Sequence, residues 1–147
     1  MATVRDPERI ARVAPFCFLM SFSGGELDQA EALGLARSVR AHGAENVLVT
    51  RGGEGELMLN GEGLCQVPAQ PTDLHDSLGA GDTFIARVLV GLLKGESTEV
   101  LLRAAAIEAA MTCTRPGAFG HAAPMQIDQS RAMSLEEIYR VSQPAQA

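Results

Sequence analysis

Apolar positions fall in two patterns along this chain, short unbroken runs and stripes at helical spacing, with turn residues between them. Asp6 to Val13 is largely polar with Pro7 in its first turn, which predicts a short helix. Phe16-Cys17-Phe18-Leu19-Met20 is a continuous apolar run of strand length, the pattern of a strand covered on both faces in a parallel sheet. After Gly24-Gly25, Glu26 to His42 reads as a helix. Its apolar positions Leu27, Ala30, Leu33, Leu35, Ala36 and Val39 recur at helical spacing, and Gly43 supplies the stop. Val47-Leu48-Val49-Thr50 is a second buried strand. Strand, helix and strand within about 35 residues predict a βαβ unit with a right-handed crossover.

A hairpin follows: Glu56 to Leu59, the turn Asn60-Gly61-Glu62-Gly63, then Leu64 to Val67, with Asn-Gly as the turn signal. A Pro-bounded loop, Pro68 to His75, leads into Asp76-Ser77-Leu78-Gly79-Ala80-Gly81-Asp82. The next helix carries Phe84, Val88 and Leu92 on one ridge and Ile85, Leu89 and Leu93 on another, a wide core-facing stripe. A second helix, Thr98 to Cys113, is rich in alanine and suited to close packing, and Arg115-Pro116-Gly117 ends it. The tail from His121 is polar, with one short amphipathic helix near 135–141. No internal repeat is visible. Residues 1–147 read as one partial domain, with 125–147 a loose tail.

Composition narrows the possibilities. The chain has 147 residues, 46% apolar and 20% charged, enough for a core and unlike a disordered segment. Net charge is −6, and the arginines are scattered, so a nucleic-acid surface is disfavoured. Cys17, Cys65 and Cys113 are odd in number and widely spaced, as free thiols in a reducing compartment would be. The longest apolar stretch, Val13 to Met20, contains Pro15 and is too short for a membrane span. Asp6 and Glu8 do not suit a signal peptide. A soluble, cytoplasmic protein is expected.

Two segments carry candidate chemistry. In Gly79-Ala80-Gly81-Asp82, two glycines around a small residue let successive N–H groups point into one concavity, to which the following helix adds its positive end. Such a turn suits a phosphoryl group, and Asp82 beside it could accept a hydroxyl proton. On spacing alone, a Gly-rich loop with an ordinary helix-capping Asp accounts for the segment equally well. The second segment, Thr50-Arg51-Gly52-Gly53-Glu54-Gly55, directly follows a buried strand, where α/β sheets place ligands. Alone it reads as a tight turn into the hairpin. Two glycine-rich loops facing one crevice make a stronger case than either. Cys113 reads as a buried thiol, His121 as a surface or packing residue, and the methionines as core fill.

Asp76 to Phe84 resembles the Asp-Thr/Ser-x-Gly-Ala-Gly-Asp-x-Phe signature of the PfkB (ribokinase-like) carbohydrate kinases. Thr50 to Gly55 is similar to that family's Thr-x-Gly-x-x-Gly nucleotide loop, and Thr112 to Ala118 to its closing Thr-Arg-x-Gly-Ala segment. The likeness runs from about Phe16 to Pro124, and Gly117-Ala118-Phe119-Gly120 with the overall spacing resembles the fructoselysine 6-kinase branch. The resemblance implies a three-layer α/β/α fold, ATP and Mg2+ as cofactors, and a small sugar-type acceptor. It implies Asp82 as the base and the N–H groups of Gly79, Ala80 and Gly81 as the anion hole, with Thr50, Gly52 and Gly55 lining the ATP site. Asp76, with carbonyls near Leu78, Cys113, Arg115 and Gly117, would border a monovalent cation such as K+.

Two positions depart from the pattern. The family's Asn-x-x-Glu, which helps organise the Mg2+ shell, has Ser23-Gly24-Gly25-Glu26 as its nearest copy. Ala106 stands where some ribokinases carry an Asn near the adenine. The family fold also takes roughly twice this length. The resemblance therefore implies the C-terminal, nucleotide-binding half of a kinase: a truncated product, a mis-called start or a degenerate copy. Such a chain lacks most of the sugar site and has an apolar strand at an open sheet edge. The alternatives to a sugar kinase are an inactive nucleotide-binding module and a fragment that self-associates.

Overall fold

A computed structural model describes residues 5–117. Its helix α1 (Pro7–Val13) starts on Asp6, whose carboxylate accepts from the Arg9 N–H at 3.1 Å, with Pro7 in the first turn. A 3-10 turn, Ala14–Phe16, follows, and strand β1 is Leu19–Ser23. The strand expected at Phe16 to Met20 is thus shifted along the chain. Pro15 lies within the 3-10 turn, and the ladder to the next strand begins at Leu19 opposite Asn46. Asn46 holds that start, donating from both its backbone and its side-chain nitrogen to the Phe18 carbonyl. β1 is only partly covered: Phe22 is its one buried residue, Met20 and Leu19 pack half-buried on opposite faces of the sheet, and Phe16 outside it is 88% exposed.

Helix α2 (Gln29–Ala41) starts later than its apolar spacing suggests, because Asp28 and Glu31 form a reciprocal capping box. It buries Ala32, Ala36 and Val39; Ala30 is exposed and Leu33 half-buried. Strand β2 (Asn46–Thr50) pairs with β1 in parallel, as the βαβ pattern requires. Strands β3 (Glu56–Asn60) and β4 (Gly63–Val67) complete the expected antiparallel hairpin, giving a mixed sheet in the order β1-β2-β3-β4. Helices α3 (Ala80–Leu93) and α4 (Thr98–Cys113) cover one face, and α1 and α2 the other.

Strand alternation divides the core. Val47, Val49 and Leu57 pack with Ile10, Ala36 and Val39, whereas Leu48 and Met58 face Phe84, Val88, Leu101 and Leu102. Each fully buried aliphatic side chain stabilises the domain by about 1.5–3 kcal/mol relative to exposure. On α3 the first predicted ridge is core, but Leu89 and Leu93 on the second are 39% and 73% exposed. The hairpin tip also fixes α4. The Glu62 carboxylate accepts from the Thr98 N–H at 2.9 Å and from its hydroxyl at 2.6 Å, and Asn60 donates to that hydroxyl at 2.8 Å. These bonds from Thr98 hold the Glu62 carboxyl below the ordinary range and occupy a helix start that Ser97 leaves without a side-chain cap. Among the described residues no helix is long and apolar enough to cross a membrane. The tail at 125–147, its helix near 135–141 and His121 lie outside the described residues.

Candidate functional site

A cleft of about 530 Å³ opens where β1 and β2 end, with Ser23 and Thr50 on its wall. Gly25, Gly52 and Gly53 continue that wall. Opposite stand Ala80 and Gly81 at the start of α3, and Ala106, Ala109, Ala110 and Cys113 on one face of α4. Gln70, Thr72 and Leu74 come from the loop ahead of α3. That loop is tied to α4: the Thr72 hydroxyl donates to the Ala110 carbonyl at 3.1 Å. The small α4 residues recur every three or four positions, so their lack of bulk opens a slot along the helix.

The Gly-Ala-Gly turn has the expected shape, with the conformational demand on its first glycine. Gly79 takes φ +81° as the N-cap of α3 and gives no side-chain cap. The Ala80 N–H donates to the Ser77 carbonyl at 3.2 Å. The N–H groups of Gly79 and Gly81 have no acceptor among the described residues. A Cβ at Gly81 would meet no neighbouring group within 4 Å among the described residues, so that position looks onto open cleft. Asp82, third in the helix, is exposed one residue beyond the cleft wall.

Asp76 gathers the segments around it. Its carboxylate accepts from the Leu78 N–H and the Gly117 N–H, both at 2.9 Å. Those two bonds hold its carboxyl below the usual range. The Cys113 carbonyl accepts from the N–H groups of His75 and Asp76, filling both lone pairs. Asp76, Leu78, Cys113 and Gly117 thus come together, and Arg115 is in the same stretch, its N–H on the Thr112 carbonyl. Cys113 is half-buried.

Thr50 and Gly52 border the cleft, but Gly55 does not. It is buried at φ +83°, and a Cβ there would stand 2.3 Å from the Val67 carbonyl oxygen. Its part is to let the turn close against β4. Glu26, the nearest copy of the Mg2+-organising Glu, ion-pairs with Arg5, which also donates to the Ser23 carbonyl. The hydrogen bond from Arg5 lowers the Glu26 carboxyl from its ordinary value. Nothing in the sequence pattern singles out Arg5.

The residue missed outright is Glu56, the first of β3, which lines the cleft directly after the glycine loop. Burial pushes its carboxyl up to about 7. Because the folded chain holds this proton more tightly than the unfolded chain, its stability is full below about pH 4.5 and falls as pH rises to 7. Glu56→Gln is therefore expected to raise the melting temperature at about pH 8 and change it little near pH 4.5. Equal shifts at both pH values in thermal scans would contradict this. The period-2 pattern of the hairpin marks position 56 as a strand start, and its carboxyl type gives no sign of burial.

A family model described as pfkB family carbohydrate kinase matches residues 19–124. Fructosamine kinase FrlD from Bacillus subtilis is 36% identical over 127 residues, 86% of this chain and 45% of that protein. That agrees with the branch that the sequence resembles. The crystal structure of aminoimidazole riboside kinase from Salmonella enterica, complexed with aminoimidazole riboside and an ATP analog, has a TM-score of 0.58 at 29% identity. It covers 78% of this chain and 42% of that one. Arabidopsis thaliana ribokinase, complexed with ribose and ATP, shares the fold with a TM-score of 0.67 at 24% identity, over 74% of this chain and 38% of that one. The expected α/β architecture is the fold shared with these structures. The chain spans less than half the length of each of them.

Proposed function

Because the chain belongs to the pfkB family of carbohydrate kinases, we propose that its residues supply the nucleotide side of ATP-dependent phosphoryl transfer to a hydroxyl of a sugar or sugar derivative. The observation that carries this is the convergence on one cleft of the Thr50 to Gly53 loop and the uncapped start of α3. In this reading the Gly79 and Gly81 N–H groups and the helix end hold the phosphoryl group in transfer. Asp82 takes the acceptor's proton as the hydroxyl oxygen bonds to the γ-phosphorus, and the bond to the bridging oxygen breaks to release ADP. The alanines of α4 leave a slot for the base.

Mg2+ bound together with ATP would neutralise charge on the phosphates. Glu26, exposed and paired to Arg5, is the nearest carboxylate of the expected motif. A monovalent cation beside the anion hole would be held by oxygen donors alone, Asp76 and the carbonyls of Leu78, Arg115 and Gly117. The Cys113 carbonyl is taken up by its two N–H partners. Residues 1–147 act here as one nucleotide-binding unit.

Gly81→Val tests this reading. A Cβ at this position has no neighbouring contact within 4 Å among the described residues, and the valine branches would extend into the space assigned to the phosphates. The variant is expected to keep the wild-type melting temperature and lose calorimetrically detectable Mg-ATP binding. Undiminished affinity would remove the anion hole from this turn. A second reading, a chain that associates through its sheet edge, draws support from β1, which ends the strand order beside exposed Phe16 and Phe18.

A further inference from the structure

Among the described residues, Glu56 is the one charged side chain on the cleft wall. Its partner across the β2–β3 ladder is Thr50, so its backbone is fixed beside the first glycine loop. One carboxyl oxygen, Oε2, is buried and has no hydrogen-bond partner among the described residues. Among the described residues no lysine or arginine lines the cleft there to neutralise it. Arg51 shares a separate polar recess with Glu56, of about 300 Å³, bounded also by Glu54, Gln29 and Gln66. An unpaired carboxylate repels phosphate and seeks N–H or O–H donors, since leaving a buried acceptor unsatisfied is costly.

Resting on the reading of this cleft as a nucleotide site, we propose that Glu56 is a specificity-determining residue that accepts a hydrogen bond from an uncharged donor on the nucleoside, a ribose hydroxyl or the exocyclic amine. It thereby directs the triphosphate away from itself and toward Gly79 to Gly81. The same cleft then has two chemically distinct ends: an acceptor end for the nucleoside and a donor end for the phosphates. Burial alone raises this carboxyl, to about 7, and no donor among the described residues offsets it. A site built to bond a donor rejects the analogue that lacks it, because its own polar group is then left unpaired.

The test is a calorimetric titration of the full chain and of Glu56→Gln and Glu56→Ala at about pH 8, where the wild-type carboxyl is charged. The titrants are Mg-ATP, the 2′-deoxy and 3′-deoxy analogues, purine riboside triphosphate and inorganic tripolyphosphate. Glu56→Ala is expected to bind Mg-ATP about 10- to 100-fold more weakly, with Glu56→Gln in between. Tripolyphosphate affinity should hold or rise in both. Wild type should discriminate by a similar factor against the one analogue lacking the bonded donor, which separates ribose from amine, and Glu56→Ala should not. Equal ATP affinity in wild type and variants, or equal loss for ATP and tripolyphosphate, would overturn the proposal and leave the nucleotide reading standing. A wild-type chain that binds neither ATP nor tripolyphosphate would overturn the nucleotide reading itself, and this proposal with it.

Discussion

Asp82→Asn is expected to slow phosphoryl transfer by about 10²–10⁴-fold while leaving Mg-ATP affinity nearly unchanged. Asp82 is exposed at the third position of α3, beyond the Ala80 and Gly81 wall, so its side chain makes no part of the nucleotide cleft. Asn keeps the size and first-turn position but cannot take the acceptor's proton. The assay needs an acceptor site. A chimera in which this chain replaces the matching part of FrlD, given that enzyme's own acceptor, provides one. Near-normal turnover of the variant chimera would reduce Asp82 to a first-turn acidic residue that complements the helix dipole.

Gly55→Ala is expected to destabilise the fold by about 2–5 kcal/mol, combining left-handed backbone strain with overpacking. The added Cβ would stand 2.3 Å from the Val67 oxygen and 2.9 Å from the Pro68 Cα, both backbone, so neither can turn aside as a side chain would. Such a loss is a large fraction of a typical domain's stability of about 5–15 kcal/mol. Gly52→Ala is the control. Its φ is +59°, but among the described residues no neighbouring group lies within 4 Å of a Cβ there, so strain of about 1–2 kcal/mol is the cost expected. Chemical denaturation should separate the two, and equal losses would mean that β4 yields at Val67.

The elements most legible in the sequence were those whose local signals agree with their packing. α4 begins and ends where its pattern does, and the hairpin follows its Asn-Gly turn. β1 slipped because an apolar run does not report register. That is set by Pro15 in its 3-10 turn and by Asn46 on the Phe18 carbonyl, contacts 28 residues apart for the latter. The start of α2 is set by the Asp28–Glu31 capping box, which the apolar spacing reaching back to Leu27 does not register. In the site, Thr50, Gly52, Ala80 and Gly81 meet at one cleft as their motifs imply. Gly55 turned out to serve the turn rather than the cleft wall, since one glycine spelling covers both needs. Glu56 and Arg5 were illegible because burial and pairing across the fold give each its role.

The most direct measurement is a backbone amide map of the isotope-labelled chain titrated with Mg-ATP. The account predicts saturable shifts centred on the amides of Gly79, Gly81 and Asp82, with a second group at Gly52 and Gly53. Saturable binding that leaves both loops unshifted, or no binding at all, would contradict it.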